Sequence, residues 1–186
     1  MRGLSVLRKG FAVLGKISTM EAIRNKVAES GLITLDPAQL FAVTMPLSFD
    51  LKDYLLHGFV LKEQDFRQRL KEFDWSVYSG KLVALHCSND AIVARWAWML
   101  VAQYVVQAGG SCSYGSPEAV KEAQLLEAIQ QWELTPYLGE RVILKGCGDE
   151  SISPAVYTAM TTKLVGVVKT LMYGEPCSTV PVFKKK

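Results

Sequence analysis

The chain has few cysteines and histidines for its length. Its 186 residues include four cysteines, too few for a scaffold held together by disulfide bonds. Only two histidines are present, which leaves little material for a histidine-based zinc hydrolase or a conventional catalytic triad. No apolar run reaches the roughly 18 residues of a membrane-spanning helix, which argues against an integral membrane protein. The nucleotide-binding motifs G-x-G-x-x-G and G-x-x-x-x-G-K-[ST] are missing, so the sequence gives no support for nucleotide binding of these usual kinds.

Charge is unevenly distributed along the chain. There are 21 basic and 18 acidic residues, but residues 1–19 contain Arg2, Arg8, Lys9 and Lys16 and no acid. Without that segment 17 basic residues face 18 acidic ones, so the body of the chain is slightly acidic. This balance argues against a nucleic-acid-binding face. No export signal is recognisable, and we therefore expect a cytoplasmic protein with reduced thiols.

Residues 1–19 also differ from the rest of the chain in composition. Their apolar stretch is interrupted by Lys16 and is too short for the core of a signal peptide. Because Met20 and Glu21 resemble a natural chain start, we expect 1–19 to be an extension outside the domain. An amphipathic surface helix and a targeting segment are the alternatives. Residues 20–186 then form a single α/β domain whose tail covers 173–186.

Hydrophobic patterns predict strands that alternate with helices. Apolar runs bounded by turn residues predict strands at 32–35, 82–85, 111–114 and 141–145. Helical spacing and capping residues predict helices at 21–29, 64–73, 91–107, 117 to about 132, and 154–171. Residues 42–61 read as short strands and turns. The apolar runs at 82–85 and 141–144 lack polar alternation, which is typical of interior strands of a parallel sheet.

Two segments of the chain follow the same pattern. Residues 73–87 and 131–147 each run from a tryptophan through a Tyr-x-Gly turn to an apolar strand and a cysteine. Chance similarity is the alternative, since buried strands use few residue types. Either way, the alternation predicts a three-layer α/β fold with a mainly parallel sheet and helices on both faces, built from two similar βα units.

Three stretches resemble a bacterial family known only as a domain of unknown function: Val83–Ile92, Lys145–Cys147 and Tyr173–Pro181, the last containing the run Gly-Glu-Pro-Cys-Ser-Thr-Val-Pro. The similarity covers about residue 20 to the end, and the C-terminal run is its most specific part. The resemblance implies no established activity. It does imply a setting near iron–sulfur assembly, with a protein partner from that process. His86 departs from the family pattern, in which a small polar residue is expected.

Three cysteines are the main functional candidates. Cys87 and Cys147 each follow a predicted parallel strand, and ligands of open α/β sheets bind at the carboxyl ends of the strands. A helix beginning directly after each cysteine would favour the thiolate, which is both a nucleophile and a metal ligand. Cys177 lies in the proline-containing tail, which is able to fold back over the same edge. The sequence therefore predicts a metal site of Cys87, Cys147 and Cys177 for zinc or an iron–sulfur cluster.

The polar residues after the two strands are further candidates. Ser88, Asn89 and Asp90 follow Cys87, and Asp149 follows Cys147. Residues of these types most often cap helices. If they bind a ligand, the carboxylates of Asp90 and Asp149 favour a cation over a phosphate. No C-x-x-C spacing is present, and free cysteines also end buried strands because they pack well. A redox-active or nucleophilic thiol is the third interpretation.

Two classes of function follow from these residues. The first is a non-catalytic, thiol-containing binding or assembly accessory linked to iron–sulfur metabolism. The second is a small enzyme with a cysteine nucleophile or a mononuclear metal at the carboxyl end of the sheet. Trp96 and Trp98 lie two positions apart on one predicted helix and cannot share a face, so one of them is free to line a pocket or a subunit contact. The sequence thus leaves a homo-oligomer open.

Overall fold

The chain builds two β-sheets with helices packed on them, in a computed structural model that describes residues 31–146 and 152–186. The strands are β1 Leu32–Leu35, β2 Leu47–Asp50, β3 Leu82–His86, β4 Ser111–Tyr114, β5 Arg141–Leu144, β6 Thr170–Glu175 and β7 Ser178–Lys184. The α-helices are α1 Pro37–Leu40, α2 Glu63–Glu72, α3 Arg95–Gln107, α4 Pro117–Gln130 and α5 Pro154–Leu164. Short 3-10 turns cover Leu51–Tyr54, Trp75–Tyr78 and Thr135–Tyr137. The predicted α/β fold with mainly parallel strands is confirmed.

The strands are divided between a three-stranded and a four-stranded sheet. The first has the order β2-β3-β4 and is parallel throughout. The second has the order β1-β5-β6-β7, and only β7 runs antiparallel to its neighbour. The predicted interior strands β3 and β5 do lie inside a sheet, but each lies in a different one. Their carboxyl ends therefore do not share one sheet edge, as the argument for converging cysteines assumed.

Each sheet has its own hydrophobic core. On the three-stranded sheet, α2 and α3 bury residues such as Phe66, Leu70, Val101 and Val105 against β2 and β3. On the four-stranded sheet, α4 and α5 bury a second cluster that comprises Leu125, Ile129, Val156, Met160 and Leu164. Helix α4 also contacts β3, where Ala84 is fully buried. Helix α4 thus joins the two sheets.

The internal repeat is visible in the backbone. A 3-10 turn and a glycine with positive φ precede both central strands, Gly80 at +66° before β3 and Gly139 at +75° before β5. Glycine suits this left-handed conformation because it has no Cβ. A helix and a further parallel strand follow each central strand. Two similar βα units are confirmed, one in each sheet.

Two predicted helix boundaries are wrong. Helix α3 begins at Arg95 instead of Ala91, because the preceding residues make tertiary hydrogen bonds in place of helix caps. Helix α5 ends at Leu164 instead of Leu171. The residues that follow include Gly166 and several β-branched side chains, all of which have low helix propensity. Leu171 itself is a buried residue of β6 and pairs with Val142.

The C-terminal tail is a β-hairpin. Glu175 pairs with Ser178, so Pro176 and Cys177 form a two-residue turn between β6 and β7. Pro181 lies in β7, an edge strand of its sheet, where a missing N–H is tolerated. The predicted tail over 173–186 thus consists of the end of β6, this turn and β7. The predicted extension 1–19 and the predicted helix 21–29 lie outside the described residues.

Candidate functional site at the carboxyl edges of the sheets

Asp50 organises the carboxyl edge of the three-stranded sheet. Its Oδ1 accepts hydrogen bonds from the backbone N–H groups of Lys52 and Ser88, both at 3.0 Å, and its Oδ2 lies 3.4 Å from Lys52 Nζ. Burial works to raise the pKa of Asp50, but these hydrogen bonds, a further one from the Ser88 side chain and the nearby His86 lower it to about 2. The carboxylate is therefore ionised at neutral pH.

His86 lies beside Asp50 and also contacts Ser48. The distance from Ser48 Oγ to His86 Nε2 is 2.7 Å. The pKa of Glu118 is lowered by hydrogen bonds at the start of α4 and, to a smaller degree, by His86. The His86 ring thus has the Ser48 hydroxyl as a partner and two acidic neighbours, Asp50 in β2 and Glu118 in α4. Sequence reasoning missed Ser48, because only the pairing of β2 with β3 brings it next to His86.

Cys87 follows β3 directly. Its side chain is half-buried and packs against the core of the three-stranded sheet. Helix α3 begins eight residues later, at Arg95, so the predicted activation of this thiol by a helix beginning directly after it is wrong. Cys87 instead precedes a loop that is fixed by side chains.

Ser88, Asn89 and Asp90 form the start of that loop. The N–H of Ser88 donates to Asp50, and Asn89 Nδ2 donates to the carbonyl of Gly58 at 3.1 Å. Neither residue caps α3, whose N-cap is Ala94. All three side chains lie at the surface, next to Cys87 along the chain. Their predicted binding role stays a prediction.

The four-stranded sheet has a second polar edge. Asp36 follows β1 and forms an ion pair with Lys145 after β5, with Oδ2 3.0 Å from Nζ. The hydrogen bond from Lys145 is the main reason that the pKa of Asp36 lies below its ordinary value. The hydroxyls of Tyr157 and Tyr173 donate to the carbonyls of Lys145 and Gly146, at 2.9 and 3.2 Å. Cys177 is exposed in the hairpin turn at the same edge.

The structure therefore places two of the predicted metal ligands in different sheets. Cys87 ends a strand of one sheet, whereas Cys177 lies in a hairpin of the other. Cys147 and Asp149 lie outside the described residues. Within 31–146 and 152–186, no three His, Cys, Asp or Glu side chains are grouped so as to hold a metal ion. The metal site therefore stays a prediction, because the position of its third cysteine, Cys147, is not among those described.

These features define an α/β protein with two mainly parallel sheets and polar carboxyl edges. Residues 21–185 match the model of the family described as "Protein of unknown function (DUF2480)", and the chain belongs to that family. Comparisons with curated proteins and with solved structures give no match. The resemblance to an uncharacterised family is thus confirmed. In the described part of the chain, every helix is too short or too polar to cross a bilayer.

Proposed function

We propose that this protein is a non-catalytic, thiol-containing binding or assembly protein that binds at the carboxyl edges of its sheets. The observation that supports it most is the fixed position of Cys87. Asp50 holds the loop after this residue at Ser88, and Asn89 holds it at Gly58. A thiol on a loop that is already ordered loses little further conformational entropy when it binds a ligand.

Each of the two edges carries an ionised acid that is paired with a basic side chain. Asp50 has a pKa of about 2, and the pKa of Asp36 is also lowered, so both acids are ionised at neutral pH. Thiolates are soft ligands that select zinc or the iron of a cluster. The proposed ligand is therefore a soft metal ion or cluster that the cysteines and a partner hold together. The partner class is a protein of iron–sulfur assembly, which is what the family resemblance implies.

Zinc protection of the thiols tests this proposal. The full chain is titrated with zinc, and alkylation of each cysteine is followed by mass spectrometry. Zinc is expected to slow alkylation at the site cysteines, and Cys87→Ser, Cys147→Ser and Cys177→Ser are each expected to weaken zinc binding by at least ~10-fold, since each removes a thiolate ligand. Cys112→Ser is the matched control, because Cys112 packs against the core.

Equal zinc affinity in all four variants would overturn the metal-binding proposal. Iron content and absorbance after anaerobic purification then distinguish the two ligands. Bound iron that is lost in the same three variants supports a cluster, and zinc protection without iron supports a mononuclear site. Protein that holds neither metal, with unprotected thiols, argues against both.

A second candidate function, a small enzyme, is favoured by one observation. Ser48 and His86 have the geometry of a nucleophile and its base, with 2.7 Å between Oγ and Nε2. A fluorophosphonate probe is expected to label Ser48 if this pair is active, and His86→Ala should abolish the labelling. Ser178→Ala, at another exposed serine, serves as the control. Absence of labelling argues against this serine as a nucleophile and leaves the thiol-binding proposal untouched.

A further inference from the structure

The four-stranded sheet is buried on both faces, but the described clusters explain only one of them. Along β5, Val142 and Leu144 belong to the hydrophobic cluster that α4 and α5 cover. Successive side chains of a strand point to opposite faces, so Ile143 lies on the other face, the second face of this sheet. Ile143 is nevertheless fully buried, and it belongs to neither of the two hydrophobic clusters that described residues form. The second face therefore has a cover that those clusters do not include.

A residue of the neighbouring strand shows the same burial. Thr170 of β6 pairs with Arg141 of β5 and so lies on the same face as Ile143. The Oγ1 atom of Thr170 is buried, and it has no hydrogen-bond partner among the described residues. Adjacent strands flank such side chains but do not lie above them. Parallel sheets accordingly carry helices on both faces.

The described α-helices all pack elsewhere. Helices α2 and α3 bury their apolar sides on the three-stranded sheet. Helices α4 and α5 cover the first face of the four-stranded sheet, and α1 adds Ala38 and Leu40 to the same cluster. Residues 147–151 join β5 to Ile152, which belongs to that cluster too. Of the chain outside the described ranges, only residues 1–30 are left to cover the second face.

Residues 21–29 are attached directly beside this face. Only Ser30 and Gly31 separate them from β1, which begins at Leu32 and pairs with β5 along its whole length. The Cα atoms of Glu29 and Leu32 are thus no more than about 11 Å apart. The family match begins at residue 21, so this segment belongs to the family domain and residues 1–19 precede it.

The sequence of this segment suits a sheet face. In the helix predicted at 21–29, Ile23 and Val27 lie four positions apart and share one side. Glu21, Asn25 and Glu29 fall on the opposite side, which makes the helix amphipathic. A helix of nine residues is marginal in water, and its stability comes from packing of its apolar side. The sheet next to it offers that packing surface.

We propose that residues 21–29 form a helix that packs on the second face of the four-stranded sheet, with Ile23 and Val27 against Ile143. The four-stranded sheet then has helices on both faces. Residues 1–19 take no part in this contact. The proposal is independent of the proposed function, because no cysteine is involved.

Charge substitutions in the full chain test the packing. Ile23→Asp and Val27→Asp are each expected to lower the melting temperature by at least ~4 °C, because each places a carboxylate between helix and sheet. Asn25→Asp is the matched control. It adds the same charge to the opposite side of the same helix and should change the melting temperature by less than ~1 °C.

A double-mutant cycle tests the contact with Ile143 itself. Ile143→Ala and Val27→Ala are measured singly and together by urea unfolding of the full chain. Because side chains in contact are coupled, the combined change in the unfolding constant should differ from the product of the single changes by at least ~3-fold. The control pair is Val27→Ala with Val105→Ala, since Val105 is buried in the core of the other sheet. Its two changes should simply multiply.

Other covers of the second face predict different results. If residues 1–19 cover it, Phe11→Asp lowers the melting temperature and Ile23→Asp does not. If a second copy of the chain covers it, the melting temperature rises with protein concentration. Either result overturns the proposal, as does a chain indifferent to both Ile23→Asp and Val27→Asp or a cycle without coupling. Should Ile143→Ala fail to fold, Ile143→Val takes its place in the cycle.

Discussion

Asp36 and Lys145 form an ion pair that joins the end of β1 to the end of β5, with 3.0 Å between Oδ2 and Nζ. In the other sheet Asp50 ends β2 beside His86, its register partner in β3. Each aspartate also accepts the backbone N–H two residues later, at 3.1 and 3.0 Å, and so begins a helical turn. The two carboxyl edges therefore repeat one arrangement, an acid next to a basic side chain.

A side chain at Gly146 is expected to displace the ring of Tyr173. A Cβ at this position would overlap the ring of Tyr173, whose hydroxyl donates to the Gly146 carbonyl. Gly146→Ala should lower the free energy of unfolding by ~1–3 kcal/mol in a urea titration, because the ring must move. Adding Tyr173→Ala should recover part of this loss. Gly166→Ala is the control, since nothing lies within 4 Å of its Cβ position; an equal loss there would contradict the explanation.

Asp50 is expected to make stability depend on pH in acid. Its pKa is about 2 in the folded protein, against an ordinary value of 3.8. A lowered pKa means that the stabilisation is complete above pH 4 and is lost as the pH falls towards and through 2. Over this pH range the free energy of unfolding of the wild type should fall by about 2 kcal/mol more than that of Asp50→Asn.

Denaturant unfolding at a series of pH values measures this difference. Glu140→Gln serves as the control because Glu140 is exposed. Its pH profile should follow that of wild type. Parallel profiles for wild type and Asp50→Asn would show that the hydrogen bonds from Ser88 and Lys52 do not stabilise the carboxylate.

Phe49 is expected to be the most costly aromatic residue to truncate in the three-stranded sheet. It is 3% exposed, and its ring contacts those of Tyr54, Phe73, Trp75 and Tyr78 at centroid distances of 5.3–6.3 Å. Phe49→Ala should lower the free energy of unfolding by ~3–5 kcal/mol. Phe59→Ala, at an exposed phenylalanine, should change it by less than ~0.5 kcal/mol. Similar losses in both variants would contradict this core assignment.

The described cysteines are expected to react with iodoacetamide in a fixed order. Cys177 is exposed in the hairpin turn and should react first, and the half-buried Cys87 should follow. Cys112 should react last, because burial raises the pKa of its thiol and lowers the thiolate fraction. Mass spectrometry of timed samples gives the three rates. In urea the rates should converge, and a Cys112 that reacts as fast as Cys177 under native conditions would contradict its packing against the core.

Local sequence was sufficient for most of the elements. The apolar runs of β3 and β5 identified two interior strands, and Ser116 and Pro117 marked the start of α4, where Ser116 Oγ accepts the N–H of Ala119 at 3.2 Å. These signals lie within a few residues of the structure they specify. The repeated Tyr-x-Gly turns likewise predicted two similar units, because a glycine with positive φ is a local requirement of each turn.

Only the tertiary structure decided which strands pair. Asp36 and Lys145 are 109 positions apart, and nothing in the four residues of β1 shows that they pair with β5 instead of β3. The same holds for the contact of Ser48 with His86 and for that of Asp50 with Ser88. Pairing over such distances depends on the packing of whole helices and sheets, whereas a short segment carries only its own preference for helix or strand. The division into two sheets, and with it the placement of Cys87 and Cys177 in different sheets, follows from that packing.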